Sequence, residues 1–339
     1  MTNIFIISFF CFLNIFLIIF FSKIKFFHLN IDKPDNLRKI HKIPVSLAGG
    51  TLIIFNLTIF WLLINFDNEL LNNEILFKDK NSLNSFIFIS YSIFFLGFFD
   101  DKLNISANIK FTTSLIIILI LIYLDSEIVL SNIKFSFYEK NFILNNYSIF
   151  FSVFCFLVFL NAFNMFDGIN LQSGFYILSI FVIFIIKGIF VQLSLILIIP
   201  LLLFLYMNYK NKIFFGESGI QLFAFLLAFI FIKTNNYQNN IFYADEIFII
   251  MGIPGLDMFR LFLIRLLSGN HPFKPDTKHI HHLLNNFFSA KKTFLIIFSY
   301  IVLSIFLYSV FSNKLIYVIC YILTYILIIS LLNFNKKKK

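Results

Sequence analysis

Cysteine is almost missing from this sequence. Cys11, Cys155 and Cys320 are the only three in 339 residues, and each lies inside an apolar run. No disulfide framework is expected, only three buried thiols that pack. Charge is scarce too: Asp, Glu, Lys and Arg together make 13% of the chain. There is no internal repeat and no linker long enough to separate two domains, so one transmembrane domain over 1–339 is expected. The first apolar run, Ile4–Phe21, lacks a basic leader and a small-residue cleavage site. It is also too long for a signal-peptide core and is expected to be a retained span.

What is left is hydrocarbon. The chain is 60% hydrophobic, with a mean hydropathy of +0.90 and 53 phenylalanines. A soluble globular domain has no need of that much apolar surface. Repeated apolar runs near bilayer length predict an all-α, polytopic membrane protein. Eleven spans are expected, roughly 4–22, 47–65, 83–99, 110–124, 147–162, 171–186, 189–206, 219–232, 245–266, 293–311 and 315–333.

The net charge of +10 does not point to nucleic acid, because the Lys and Arg residues gather in alternate loops. With the N-terminus outside, loops 23–46, 100–109, 163–170, 207–218 and 267–292 face the cytoplasm together with the C-terminal tail. That leaves Lys78, Lys80, Lys134, Lys140, Lys187, Lys233 and Lys314 on the other side. The tail Lys336–Lys339 reads as an anchor beside anionic lipid. In the outer loops 66–82 and 125–146, Asp67, Glu69, Glu74, Asp79, Asp125, Glu127 and Glu139 read as solvated charges.

Five polar islands interrupt the hydrocarbon on the basic side. NAFNMFDGIN, residues 161–170, places Asn161, Asn164, Asp167 and Asn170 at every third position, a spacing that on a helical turn brings neighbours toward one ligand. Gly168 permits close backbone approach or a tight bend. Polar groups at the mouth of a span are costly unless something uses them.

The first island, residues 32–50, crowds Arg38, Lys39, His41 and Lys42 into a phosphate-binding or merely topogenic loop, and its Gly49-Gly50 allows close helix packing. FFDDKLNIS sets Asp100 beside Asp101. Adjacent carboxylates suit Mg²⁺ or the orientation of a nucleophile, and equally a solvated helix end. KNKIFFGESGI puts Glu217 between glycines, with Phe214 or Phe215 placed to stack on a flat base. The last island carries Asp257 and Arg260 at helical pairing distance, with Pro254 placed to kink the helix, then His271, Lys274, Asp276, Lys278, His279, His281 and His282. No cysteine accompanies the histidines, so contact with a polyanion fits better than zinc. Acids and cations at one membrane surface suggest phosphoryl or glycosyl-phosphate transfer between a soluble nucleotide and a lipid.

In this order, the strings RKIHKIPVSLAGG, FFDDKLNIS, NAFNMFDGIN, FFGESG and GNHPFKPDTKHIHHLL resemble the polyprenyl-phosphate N-acetylhexosamine-1-phosphate transferases. The ending is similar to the GlcNAc-type branch. The resemblance implies transfer of a sugar-1-phosphate from a UDP-sugar to undecaprenyl phosphate with release of UMP. The implied setting is the bacterial inner membrane, as the first membrane step of a cell-envelope polysaccharide such as O-antigen or teichoic acid, with Mg²⁺ as cofactor and Mn²⁺ as a substitute.

By the same resemblance, Asp100, Asp101 and Asp167 are catalytic, with His279, His281 and His282 at the diphosphate. Asn161, Asn164, Asn170, Arg38, Lys39, His41 and Lys278 bind substrate, and Phe214 stacks on uracil. Glu217 and Asp101 hold the metal. The chain departs from the family at Glu217, which stands for an Asp, at Leu171-Gln172, which stands for Gly-Leu, and at Ala48, which stands for Met. Two other readings stay open: a lipid or ion transporter, and an inactive relative that binds polyprenyl phosphate. The sequence also leaves the sugar and homodimerisation open.

Overall fold

Backbone in hydrocarbon has to satisfy its own N–H and C=O groups, and this chain does so with helices. The structure is a computed structural model describing residues 2–34, 43–66, 77, 79–237, 242–272 and 276–338. Its helices are α1 (Thr2–Ile19), α2 (Gly49–Phe66), α3 (Lys80–Leu103), α4 (Ala107–Leu124), α5 (Ser148–Phe166), α6 (Gln172–Ile186) and α7 (Val191–Tyr209). They continue with α8 (Gly216–Tyr237), α9 (Ala244–Ile250), α10 (Gly252–Leu267), α11 (Ile280–Asn285), α12 (Ala290–Val310) and α13 (Lys314–Lys338). Two-residue strands pair Ile31–Asp32 with Val45–Ser46 and Asn132–Ile133 with Phe142–Ile143, and Ser46 also bridges to Ile213. The expectation of an all-α, multi-pass membrane protein holds.

Eight of the described helices are long and apolar enough to cross a bilayer. α9 and α10 pass the same test only as a pair, bent by 81°. Shorter apolar helices cover Phe5–Ile19 and Gln172–Ile186. The bend corrects one expectation. It falls at Met251–Gly252, not at Pro254, which sits in the first turn of α10 where its missing N–H costs little.

The chain divides into two compact units. The first comprises Met1–Ile128 and Gly174–Lys233. Within it α3 packs against α4, α2 against α3, and α7 against α1 and α2. Gly49-Gly50 serves close packing, as expected: a Cβ on Gly50 would stand 2.6 Å from the Gly219 nitrogen of α8. Asn14 and Asn56, both fully buried, exchange hydrogen bonds of 2.7 and 3.0 Å between α1 and α2. Amides placed inside apolar helices are tolerated because each finds a partner.

The solvated-charge reading of loop 125–146 fails at Asp125 and Glu127. Lys233, with no exposed surface, donates to Asp125 at 2.6 Å, Glu127 at 3.1 Å and the Ser82 hydroxyl at 3.2 Å. The ion pair forms because Lys233 is fully buried and Asp125 is the nearest compensating charge. Asp79 serves as N-cap of α3, accepting from the Ser82 N–H at 2.8 Å. Glu139 is exposed, while Asp67, Glu69 and Glu74 lie outside the described residues.

The second unit comprises Val129–Ser173 and Thr234–Lys339. α10 packs on α5, and α9 and α11 pack on α12 and α13. Tyr308, Tyr317 and Tyr321 form a buried cluster with Ile249. The thiols differ from expectation. All three are free, but Cys11 and Cys155 are half-buried and Cys320 is exposed on an apolar helix face, where a thiol behaves as a small hydrophobe.

Candidate active site

In the first unit, α3 ends where Asn104 turns left-handed (φ 51°) and returns its N–H to the Asp100 carbonyl at 2.9 Å. That stop leaves Asp100 and Asp101 on the last turn. Consecutive helical side chains diverge by about 100°, and the two carboxylates take different partners. Asp100, buried, is bonded to the ammonium of Lys110 on the first turn of α4. The same ammonium reaches Glu217 at 3.1 Å. Asp101 instead accepts the backbone N–H groups of Glu217 at 2.8 Å and Ser218 at 3.2 Å. It therefore caps the N-terminus of α8, where the helix dipole favours negative charge.

Glu217 also accepts from the Gln221 side chain at 3.0 Å. Phe215 is buried, its ring stacked on Phe204 with centroids 3.7 Å apart, whereas Phe214 is half-buried. Of the two aromatics offered by the sequence, Phe215 is committed to the core.

In the second unit, the polar string 161–170 is only partly helical. Asn161 and Asn164 lie on the last two turns of α5, Asp167 is its C-cap, and Gly168–Leu171 form the turn into α6. Asn161 bonds its own helix at the Leu157 carbonyl, 2.7 Å away, and Asn164 and Asn170 are half-buried. The Ser173 hydroxyl donates to Asp167. Leu171 adopts φ 71° at a position where the resembled family has glycine, and Gln172 caps the Phe166 carbonyl at 2.7 Å. A left-handed leucine costs roughly 1–2 kcal/mol of local strain.

Gly168 is fixed by close approach. A Cβ there would land 2.0 Å from Nε2 of His281. The turn after Asp167 and the histidine string are thus in direct contact. His281 is buried, and its Nδ1 has no protein partner among the described residues. Burial, then the neighbouring His282 and His279, hold its imidazole well below the usual range, at about 3. It is a neutral ring near pH 7.

His279 donates from Nδ1 to Asp257 at 2.9 Å. The three imidazoles cluster, with ring centroids 5.5 Å apart for His279–His281 and 4.3 Å for His281–His282. Asp257 pairs with Arg260 at 2.7 Å, as the i,i+3 spacing predicts. Arg265 holds Asp276 at 2.9 Å and the Pro272 carbonyl at 2.7 Å, tying the loop to α10. The Asp276 carboxyl lies below its ordinary range: burial opposes this, and the Lys278 N–H and Arg265 outweigh it. Lys278 is exposed. Arg38, Lys39 and His41 lie outside the described residues.

Two participants were missed in the sequence. Lys110 is not among the candidates read from the sequence, although a lone lysine in the first turn of a span beside an Asp pair is a signal. Asp257 was paired with Arg260 alone, and its grip on His279 joins positions 22 apart that no periodicity links. Among the described residues no group of three or more His, Cys, Asp or Glu forms a metal cage. Mg²⁺ needs none, since it is commonly held by one or two carboxylates plus substrate phosphates. The half-exposed Glu217 beside Asp101 fits that mode.

The chain is also similar to known proteins. The model of glycosyl transferase family 4 matches residues 83–235. That match, together with the relatives below, bears out the resemblance read from the five strings. The chain is 26% identical over 279 residues to the undecaprenyl-phosphate alpha-N-acetylglucosaminyl 1-phosphate transferase of Escherichia coli (strain K12), covering 79% of this chain and 72% of that one. It is 28% identical over 300 residues to the protein of the same name from Thermotoga maritima, covering 87% and 84%.

Proposed function

We propose that this protein transfers a sugar-1-phosphate, GlcNAc-1-phosphate or that of a related N-acetylhexosamine, from a UDP-sugar to undecaprenyl phosphate and releases UMP. The observation that carries the reading is the seat of His281 on Gly168, which joins the two most specific strings of the sequence. The names of the relatives point the same way.

In the mechanism, a lipid phosphate oxygen attacks the β-phosphorus of the UDP-sugar. A phosphate monoester is already largely ionised near pH 7, so Asp100 orients it and takes any remaining proton. Lys110, held between Asp100 and Glu217, screens the acids from the incoming anion. Glu217 and Asp101 would hold Mg²⁺, which supplies charge neutralisation to the diphosphate. His282 donates a hydrogen bond to the departing UMP, His279 presents Nε2 to it, and neutral His281 shapes the cluster. Asn164, Asp167 and Asn170 address the nucleotide, with Phe214 against the uracil face.

Eleven spans are kept as part of this proposal: the eight long helices, the bent pair as one, and the two shorter helices. The distribution of Lys and Arg supports an outer N-terminus and a cytoplasmic site in a bacterial inner membrane.

Purified protein incubated with undecaprenyl phosphate, Mg²⁺ and a panel of UDP-sugars tests this. A lipid-linked sugar diphosphate identified by mass, with stoichiometric UMP, is the expected result. Its absence for every UDP-sugar would overturn the reading.

A further inference from the structure

The mechanism leaves α13 without a task, yet this helix reaches the histidine cluster. Tyr325, buried on α13, donates its hydroxyl to Oδ1 of Asp257 at 2.9 Å. Its oxygen accepts from Nε of Arg260 at 3.2 Å. Arg260 closes the ring with Nη2 on the same Asp257 oxygen at 2.7 Å and on the Lys278 carbonyl at 2.7 Å. The other Asp257 oxygen takes Nδ1 of His279 at 2.9 Å and the Ile280 N–H at 3.2 Å. Two oxygens with about four acceptor sites thus meet four donors, which leaves the carboxylate no freedom to rotate. A carboxylate that only accepts forces the facing histidine nitrogen to carry hydrogen, so Nε2 is the atom presented to a ligand.

One turn earlier on α13, the Tyr321 hydroxyl would lie 2.1 Å from a Cβ at Gly252, the residue at the break between α9 and α10. Two tyrosines of one helix therefore register α10, one at its start and one at its acid.

We infer that Tyr325 is a positioning residue that sets the tautomer and aim of His279 through Asp257. The inference rests on the proposed function for its kinetic consequence only. Tyr325→Phe keeps the ring and its packing and removes only the hydroxyl, with its bond to Asp257 and the one it accepts from Arg260, so it separates positioning from bulk.

In the full-length protein in lipid, ¹⁵N-histidine spectra report the His279 tautomer, with the resonance assigned by its loss in His279→Gln. The expected result is one fixed Nδ1–H form in the parent and a shifted or mixed signal in Tyr325→Phe. With a UDP-sugar that turns over, kcat falls on the order of tenfold with KM nearly unchanged, the scale typical of losing a supporting hydrogen bond to an oriented histidine. Tyr325→Phe adds little further loss in an Asp257→Asn background. An unchanged His279 signal in a folded Tyr325→Phe protein overturns the inference, as does a full additive loss in the double variant. Should the parent turn over no UDP-sugar, the spectra still decide the positioning role, while the functional reading alone falls.

Discussion

Two lysines in the first unit meet the same partners with opposite consequences. Lys110 stands between Asp100 and Glu217, Lys233 between Asp125 and Glu127. The same helices carry both: α3, α4 and α8 are tied at one end by a lysine from α4 and at the other by a lysine from α8. Glu217 and Lys233 lie about 24 Å apart along α8 at 1.5 Å per residue. The difference is access. The Lys110 side chain is 21% exposed and Lys233 0%, while the acids match, Asp100 and Asp125 at 7% and 4%, Glu217 and Glu127 at 28% and 29%. The Ser82 hydroxyl donates to Asp125 at 2.7 Å, completing the inner set. A sealed lysine has nothing to exchange with and holds helices together. A cluster open on one side can trade a partner for a substrate anion.

The largest effect is expected from Lys233→Met. It strands Asp125 without its counter-charge and should remove about 3–5 kcal/mol of stability, read from thermal or denaturant unfolding in detergent. Parent-like stability would erase the distinction between the two clusters. Lys110→Met should do the reverse. Turnover of UDP-sugar is expected to fall on the order of a hundredfold or more, the scale of a lost transition-state contact, with unfolding shifted by less than about 1 kcal/mol. A variant that melts far earlier instead would make Lys110 a structural tie like Lys233. The smallest effect is expected from Glu127→Gln. Because Glu127 is 29% exposed and Lys233 keeps Asp125, the loss should stay below about 1 kcal/mol, measurable in the same unfolding assay.

These clusters also mark how far the sequence could be read. Span positions, the Asp257–Arg260 pair and the packing role of Gly49-Gly50 follow from composition and helical spacing, because both act within one element or at its edge. The sealing of Asp125 could not be read, because its partner is 108 positions away and a short acidic loop looks the same whether wet or buried. The polar string 161–170 was legible as a site but not as a shape. Its three-residue rhythm suggests a helix, whereas the helix ends at Phe166 and the chain turns past Asp167 with Gly168 lying against His281. The break at Met251–Gly252 was hidden by Pro254, a stronger signal one turn downstream.

The missing β-carbon at position 168 has a further consequence. Two loops more than a hundred residues apart share one slot sized for an imidazole edge and nothing more. A side chain cannot be added at position 168 while His281 keeps its place, so redesign of the proposed donor preference has to alter both in concert, or begin elsewhere.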